Sequence, residues 1–254
     1  MSQAVLKLKK VIVDFSGFKA INQLDFAVQP TSVHFVIGPN GAGKTTLLDV
    51  VCGKTKATTG EIKLQERKEL SKLTEDQIVH QGISRKFQAP SIFQNLTVID
   101  NLEISMKQKK NLFSMIKAKW TNEQKKKINE MLELVGLKKV QHQQAGSLAH
   151  GQKQWLEIAM VLMQEPDIVL LDEPIAGMSK KERNKTGELI TKIAKDRAVL
   201  IVEHDMDFVK EYADIVSVMH EGQLLFEGSM EEVQKDPTVR EVYLGRKVEE
   251  NVVN

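Results

Sequence analysis

Three short apolar runs stand out along the chain: Val33-His34-Phe35-Val36-Ile37, Ile168-Val169-Leu170-Leu171 and Ala198-Val199-Leu200-Ile201-Val202. Runs without alternation predict strands buried on both faces, as in a parallel sheet covered by helices. Ile83-Ser84-Arg85-Lys86-Phe87 predicts a further strand. Thr46 to Val51, Leu156 to Met163, Lys181 to Ala194 and Asp207 to Ala213 predict helices between them. Ile215 to Met219 and Gln223 to Glu227, on either side of Glu221-Gly222, predict an antiparallel pair. The first part of the chain alternates instead, as in Leu24-Asp25-Phe26-Ala27-Val28, with Gly17 and Pro30-Thr31 as punctuation. That pattern predicts β-hairpins leading into the Val33 strand, with a turn and strand over Gly53 to Leu64. From Ala89 to Ser147 the apolar residues, among them Leu102, Met106, Ile128, Leu132 and Val135, recur at steps of three and four, predicting amphipathic helices. The expected fold is α/β. It has a mostly parallel sheet, an N-terminal antiparallel β subdomain and a helical subdomain inserted at 89–147, within one domain over 1–254.

The chemistry of the first run changes the picture most. It leads directly into Gly38-Pro39-Asn40-Gly41-Ala42-Gly43-Lys44-Thr45, followed by the predicted helix from Thr46. Glycines at these places let backbone N–H groups wrap a polyphosphate, and the helix N-terminus adds the positive end of its dipole. A strand, G-x-x-x-x-G-K-T and a helix in that order identify a phosphate-binding loop, so the expected core is a P-loop NTPase sheet, similar to the RecA-like kind. Gly38, Asn40, Gly41, Gly43, Lys44, Thr45 and Thr46 are the expected nucleotide-binding set. Lys44 is expected on the β- and γ-phosphates and the Thr45 hydroxyl on Mg²⁺.

Two other predicted strands end in candidate chemistry. Leu171 runs into Asp172-Glu173-Pro174. Asp172 is suited to the Mg²⁺ shell and Glu173 to polarising an attacking water as general base. Val202 is followed by Glu203 and His204. A histidine at the same rim can donate to a γ-phosphate and orient the water. Gln88, at the join to the helical lobe, is placed to sense Mg²⁺ or water; alone it would be an ordinary loop glutamine.

Bulk properties narrow the function class. Lys+Arg 36 against Asp+Glu 34 gives a net charge of +2, which argues against nucleic acid as the main partner. The apolar runs are far too short to span a bilayer, and the N-terminus lacks the apolar core of a signal peptide. A single cysteine, Cys52, excludes an internal disulfide framework and fits a small buried hydrophobe. The lysine runs 107–110 and 125–127 read as solvated helix faces, with an anionic surface as the alternative.

With Leu148-Ala149-His150-Gly151-Gln152 before the Leu156 helix, and Ala176-Gly177-Met178-Ser179 after the acidic pair, the chain resembles the ATP-binding-cassette ATPases over essentially its whole length. The resemblance implies ATP and Mg²⁺ as ligands, with Thr45, Gln88 and Asp172 around the metal. It implies that two such subunits bind two ATP molecules head to tail, the signature segment 148–152 of each completing the other's site. It implies integral membrane permease subunits as partners, at the cytoplasmic face of the membrane. It also implies an aromatic platform for adenine; Phe15 fits best and Phe18 second, with core packing as the alternative. Ala89-Pro90-Ser91-Ile92-Phe93 is the expected permease contact, against intramolecular packing.

Within that family the chain is most similar to ATPases of branched-chain amino acid and urea importers. His150 to Ile158 and the ending Glu227 to Gly245 look most like the urea branch, its D-type subunit, which implies a heterodimer with a second ATPase, a homodimer being the alternative. One position departs from the family pattern. The second signature place usually carries a serine whose hydroxyl reaches the partner's γ-phosphate, and here it is Ala149. The ATP site completed by this chain's signature is therefore expected to be the weaker of the two. A soluble cassette ATPase that remodels other macromolecules, and a nucleotide-dependent regulatory module, are the competing classes.

Overall fold

The computed structural model describes residues 5–65, 68–86, 92–106 and 120–242. Gln88, the segment Ala89-Pro90-Ser91 and the lysines at 107–110 lie outside the described residues.

The alternating N-terminal stretch folds as one long hairpin. β1 (Leu6–Phe15) and β2 (Phe18–Val28) pair antiparallel, and β4 (Thr59–Leu64) and β5 (Lys68–Glu69) extend them into a four-stranded sheet in the order β2-β1-β4-β5. The hairpin turn is Ser16-Gly17, both at positive φ, with Asp14 Oδ1 accepting from the Gly17 N–H at 2.6 Å. Leu6, Leu8, Val11 and Val13 point inward between lysines that face water, the arrangement of a sheet solvated on one side.

The apolar runs become the second sheet, β10-β9-β3-β8-β7-β6. β3 (Val33–Ile37), β6 (Ile83–Lys86), β7 (Ile168–Asp172), β8 (Ala198–Val202) and β9 (Ile215–His220) are parallel, and β10 (Gln223–Gly228) closes the edge antiparallel to β9. Every residue of β3, β7 and β8 is buried, which explains why those strands read as near-continuous apolar runs, interrupted only by His34 and closed by Asp172.

Helices cover both faces. α1 (Lys44–Val51) sits between the two sheets, in a core shared with Leu6, Ile21, Leu64 and Leu200. A second core lies on the opposite face beneath α5 (His150–Leu162), α6 (Lys180–Ala194) and α7 (Met206–Tyr212). The stretch between β6 and α5 contributes α3 (Val98–Ser105) and α4 (Asn122–Leu134), packed onto the same core through Leu102, Ile128 and Leu132. Lys125, Lys126 and Lys127 lie on the exposed face of α4, where Lys126 pairs with Glu130 and Lys127 with Glu123 and Glu165. Cys52 is buried.

Two short helices escaped the sequence reading: α2 (Glu75–His80) and α8 (Met230–Lys235), each with a single buried side chain and so no periodic signal. Both start with a side-chain cap, at Thr74 and Ser229, as do α3, α4 and α6 at Thr97, Thr121 and Ser179. No helix among the described residues is long and apolar enough to cross a membrane.

Candidate active site

The parallel strands deliver their C-terminal ends to one rim. Asp172 of β7 is opposite Val202 of β8, and Val202 is opposite Val36 of β3, so the residues that follow all three strands emerge together. That edge is where open α/β sheets bind ligands.

The loop after β3 needs its glycines. Gly38 packs against the Met219 carbonyl so closely that a Cβ would overlap it. Gly43 holds φ 96° as it opens α1, and a Cβ there would stand 2.5 Å from the Ala20 carbonyl oxygen. Gly41, also at positive φ, faces open space. The Lys44 ammonium arches across the loop and donates to the carbonyls of Gly38 (2.7 Å) and Pro39 (2.9 Å). Half-burial lowers its pKa, opposed by the charges of Glu173 and Asp172.

The two acidic neighbours diverge. Asp172 ends β7 with its side chain buried, and Arg85 Nη2 donates to its Oδ2 at 2.9 Å. Its Oδ1 is buried with no hydrogen-bond partner among the described residues. Such an oxygen is costly to leave alone and suits the hydrated shell of a cation. Glu173 follows at φ 46°, a left-handed conformation unusual for a glutamate, with its N–H donating to Val202 O at 2.9 Å. The turn throws its carboxylate outward, 40% exposed. His204 reaches the same place, its Nδ1 3.7 Å from Glu173 Oε1. Among the described residues no cluster of three or more His, Cys, Asp or Glu forms a cage for a metal. Magnesium seldom uses one: a carboxylate or two plus substrate phosphates normally suffice, and Thr45 with Asp172 fit that pattern.

Glu203, given no role in the sequence reading, supports this turn. It is buried and accepts from the backbone N–H groups of His204 (3.0 Å), Ile175 (3.4 Å) and Asp205 (3.5 Å). Burial pushes its carboxyl pKa up against those bonds. An acid immediately after a fully apolar strand was the available signal.

Phe15 and Phe18 face each other across the tip of the β1–β2 hairpin, 51% and 66% exposed. Neither belongs to the core, and β2 abuts the phosphate loop at Gly43 through Ala20. Gln88 lies outside the described residues. Of the expected permease contact, Ile92 is buried in the core while Phe93 is 49% exposed; Asn101 fixes that segment by bonding both the N–H and the carbonyl of Phe93.

The signature segment lies at the start of α5. That helix begins at His150, earlier than the apolar pattern predicts, because the polar residues 150–154 form its first turns. Leu148 is buried and Ala149 is the N-cap. The Ala149 N–H donates to Gln152 Oε1 at 3.1 Å, but no side chain returns a cap. His150 is exposed, and its Nε2 lies 3.1 Å from the Ala176 carbonyl. Gly151 lies against the Glu182 carboxylate, where a Cβ would overlap. The Ser179 hydroxyl, then the Ser179 N–H, the charge of His150 and the Gly151 N–H hold that carboxylate low.

The ABC transporter family model matches residues 21–176, and that of the branched-chain amino acid ATP-binding cassette transporters matches 223–249. The chain is 36% identical over 254 residues to the high-affinity branched-chain amino acid transport ATP-binding protein LivG of Salmonella typhimurium, covering 96% of this chain and 99% of that one. It is 34% identical to the BraF protein of the same description from Pseudomonas aeruginosa, again over 96% and 99%. A solved ATP-binding cassette of an ABC transporter in its ADP conformation superposes with TM-score 0.82 at 32% identity, covering 96% of this chain and 100% of that chain. A phosphate loop on a buried strand, an acidic pair and a histidine on the same rim, and likeness at full length leave one assignment. The chain belongs to the ABC transporter family, as an ATP-hydrolysing subunit of the branched-chain amino acid group.

Proposed function

We propose that this chain binds MgATP at Gly38, Asn40, Gly41, Gly43, Lys44, Thr45 and Thr46 and hydrolyses it to drive import of a small amphipathic solute, with branched-chain amino acids as the cargo class. The observation that carries the site is the convergence of Lys44, Asp172, Glu173 and His204 on one sheet rim. The names of the relatives over nearly the whole chain support the cargo.

The roles follow from the geometry. Lys44 exchanges its two carbonyl acceptors for phosphate oxygens, a stronger, charge-assisted pairing. Thr45, Asp172 and Gln88 would hold Mg²⁺, which would supply neutralising charge to the phosphates. Glu173 orients and deprotonates the attacking water, and His204 steadies the transferred phosphoryl group. Phe15, with Phe18 opposite, offers its ring to adenine. Leu148, Ala149, His150, Gly151 and Gln152 complete the ATP site of a second ATPase subunit, in a heterodimer. The expected helical subdomain at 89–147, to which α3 and α4 belong, would meet the permease subunits at the cytoplasmic face of the membrane through exposed Phe93 and Ile104.

A second cargo reading, urea or a short-chain amide, draws on two sequence features: His150 to Ile158 and the ending Glu227 to Gly245 resemble the urea branch of the group. Uptake by the intact transporter decides between them. Labelled leucine taken up in an ATP-dependent way, and not competed by urea, is expected; uptake of urea alone would overturn the branched-chain reading.

A further inference from the structure

Three consecutive polar residues of β6, Ser84, Arg85 and Lys86, are buried. Cationic side chains rarely enter a core unless paired, and the chemistry at the rim needs neither. Successive side chains of a strand leave on opposite faces, so Arg85 and Lys86 part. Arg85 turns toward the phosphate-loop helix, bonding the Asp49 carboxylate of α1 and donating to Asp172 Oδ2 at 2.9 Å. Lys86 turns the other way. Its Nζ is 3.2 Å from Glu157 Oε2 on α5, and both side chains are 2% exposed. α5 is the helix that begins with the signature segment.

We propose that Arg85 and Lys86 are positioning residues that tie the two half-sites of this subunit to a single strand. Arg85 holds Asp172 and α1, which serve the subunit's own ATP, and Lys86 holds α5, which serves its partner's. Asp172 bridges the two functions, with Oδ2 on Arg85 and Oδ1 unpaired. Charge brought to Oδ1 is therefore felt at Arg85 through the shared carboxylate, and one residue along at Lys86 and α5. Stability alone does not account for the second pair. Apolar residues of the same volume serve a core equally well, whereas a buried ion pair accepts one geometry and resists sliding. The inference rests on the ATP-site reading above and extends it to what α5 receives.

The test uses the full chain in a Glu173→Gln background, so that ATP persists, at a dilution where light scattering finds monomer. Hydrogen exchange of the α5 amides, residues 150–162, is followed with and without MgATP. ATP is expected to slow exchange there by about fivefold or more, a typical coupling between sites. Lys86→Met alone removes the buried charge paired with Glu157 and leaves the carboxylate behind, so the informative variant is Lys86→Met with Glu157→Met. It should keep ATP affinity and thermal stability while the α5 response falls below about twofold, under the usual range of such couplings. Lys86→Arg should preserve the response. An undiminished response in the double variant, or none in the parent although ATP binds, would overturn the link. Failure of the parent to bind ATP would remove the phosphate-loop assignment and the link with it, and nucleotide titration reads that failure separately.

Discussion

Ala149→Ser separates two things a signature serine can do. The Ala149 backbone, φ −60° and ψ 157°, nearly coincides with that of Ser179, φ −65° and ψ 159°, which caps α6 with its own side chain. A serine therefore fits unstrained and can accept from the Gln152 N–H, while Gln152 Oε1 already accepts from the residue 149 N–H at 3.1 Å. That completes a capping box, worth about 1 kcal/mol, with about 0.5 expected at so exposed a helix start. For a chain of this size each kcal/mol raises Tm by about 2–4 °C, so the isolated subunit should melt about 1–4 °C higher. The hydroxyl keeps its proton for a second bond. In the assembled transporter that proton can reach the partner's γ-phosphate, where a hydrogen bond to a charged group is worth about 1.5–3 kcal/mol. ATP affinity at that site should rise about tenfold or more, read by nucleotide titration and steady-state turnover of the complex. An unchanged Tm would refute the capping argument. A raised Tm with unchanged affinity and turnover would refute the weaker-site argument and leave the cap intact.

Glu173→Gln should retain ATP binding and lose about 10²–10⁴-fold in turnover, the usual contribution of a general base; turnover at the parent rate would remove that role. Lys44→Ala should weaken nucleotide binding itself, because it deletes the only ammonium arched over the loop among the described residues; equal ATP affinity in a fluorescence titration would contradict the assignment. His34 is fully buried, stacked on Phe26 and within 2.8 Å of Ser217 Oγ, and burial lowers its pKa to about 4. The unfolded chain takes up this proton first, so the stability from a neutral His34 is complete above pH 6.5 and is lost as pH falls toward 4. The difference corresponds to about 3 kcal/mol. Denaturant midpoints should fall across that window and flatten in His34→Leu, and parallel curves for the two proteins would exclude His34 as the source.

The legible parts of the fold were those where one physical demand governs a whole segment. Strands buried on both faces favour near-continuous apolar runs, so 33–37, with His34 as its one polar member, 168–171 and 198–202 declared themselves. The phosphate loop was legible because two of its glycines are forced by Met219 and Ala20, contacts no side chain could share. What stayed hidden was charge inside the core. Ser84-Arg85-Lys86 breaks the apolar pattern of a buried strand, and its partners Asp49, Asp172 and Glu157 come from distant elements, so sequence spacing could not pair them. The start of α5 was hidden for the opposite reason: residues 150–154 include polar side chains at the surface, where a helix carries no apolar signal.

The sheet register is itself part of the chemistry. β7 and β8 pair from Ile168 opposite Ala198 to Asp172 opposite Val202, and β3 joins with Val36 opposite Val202. Strands stand about 4.8 Å apart, so residues just beyond matched ends fall within reach of one another without any loop having to aim them. Glu173 and His204 approach to 3.7 Å on this basis alone, with Glu203 bracing the turn beneath them. A slip of one residue in β7 would exchange the faces of Asp172 and Glu173. It would bury the outward carboxylate against Arg85 and expose the one whose Oδ1 awaits a cation. The packing of β7 forbids that slip: Val169 and Leu171 fill the core beneath α5 and α6, Ile168 and Leu170 fill the core around α1, and a slip would exchange side chains of different shape between two close-packed cores. Hydrophobic packing of the strand thus decides which of two adjacent acids is placed for the proposed role of base and which for that of metal-side carboxylate.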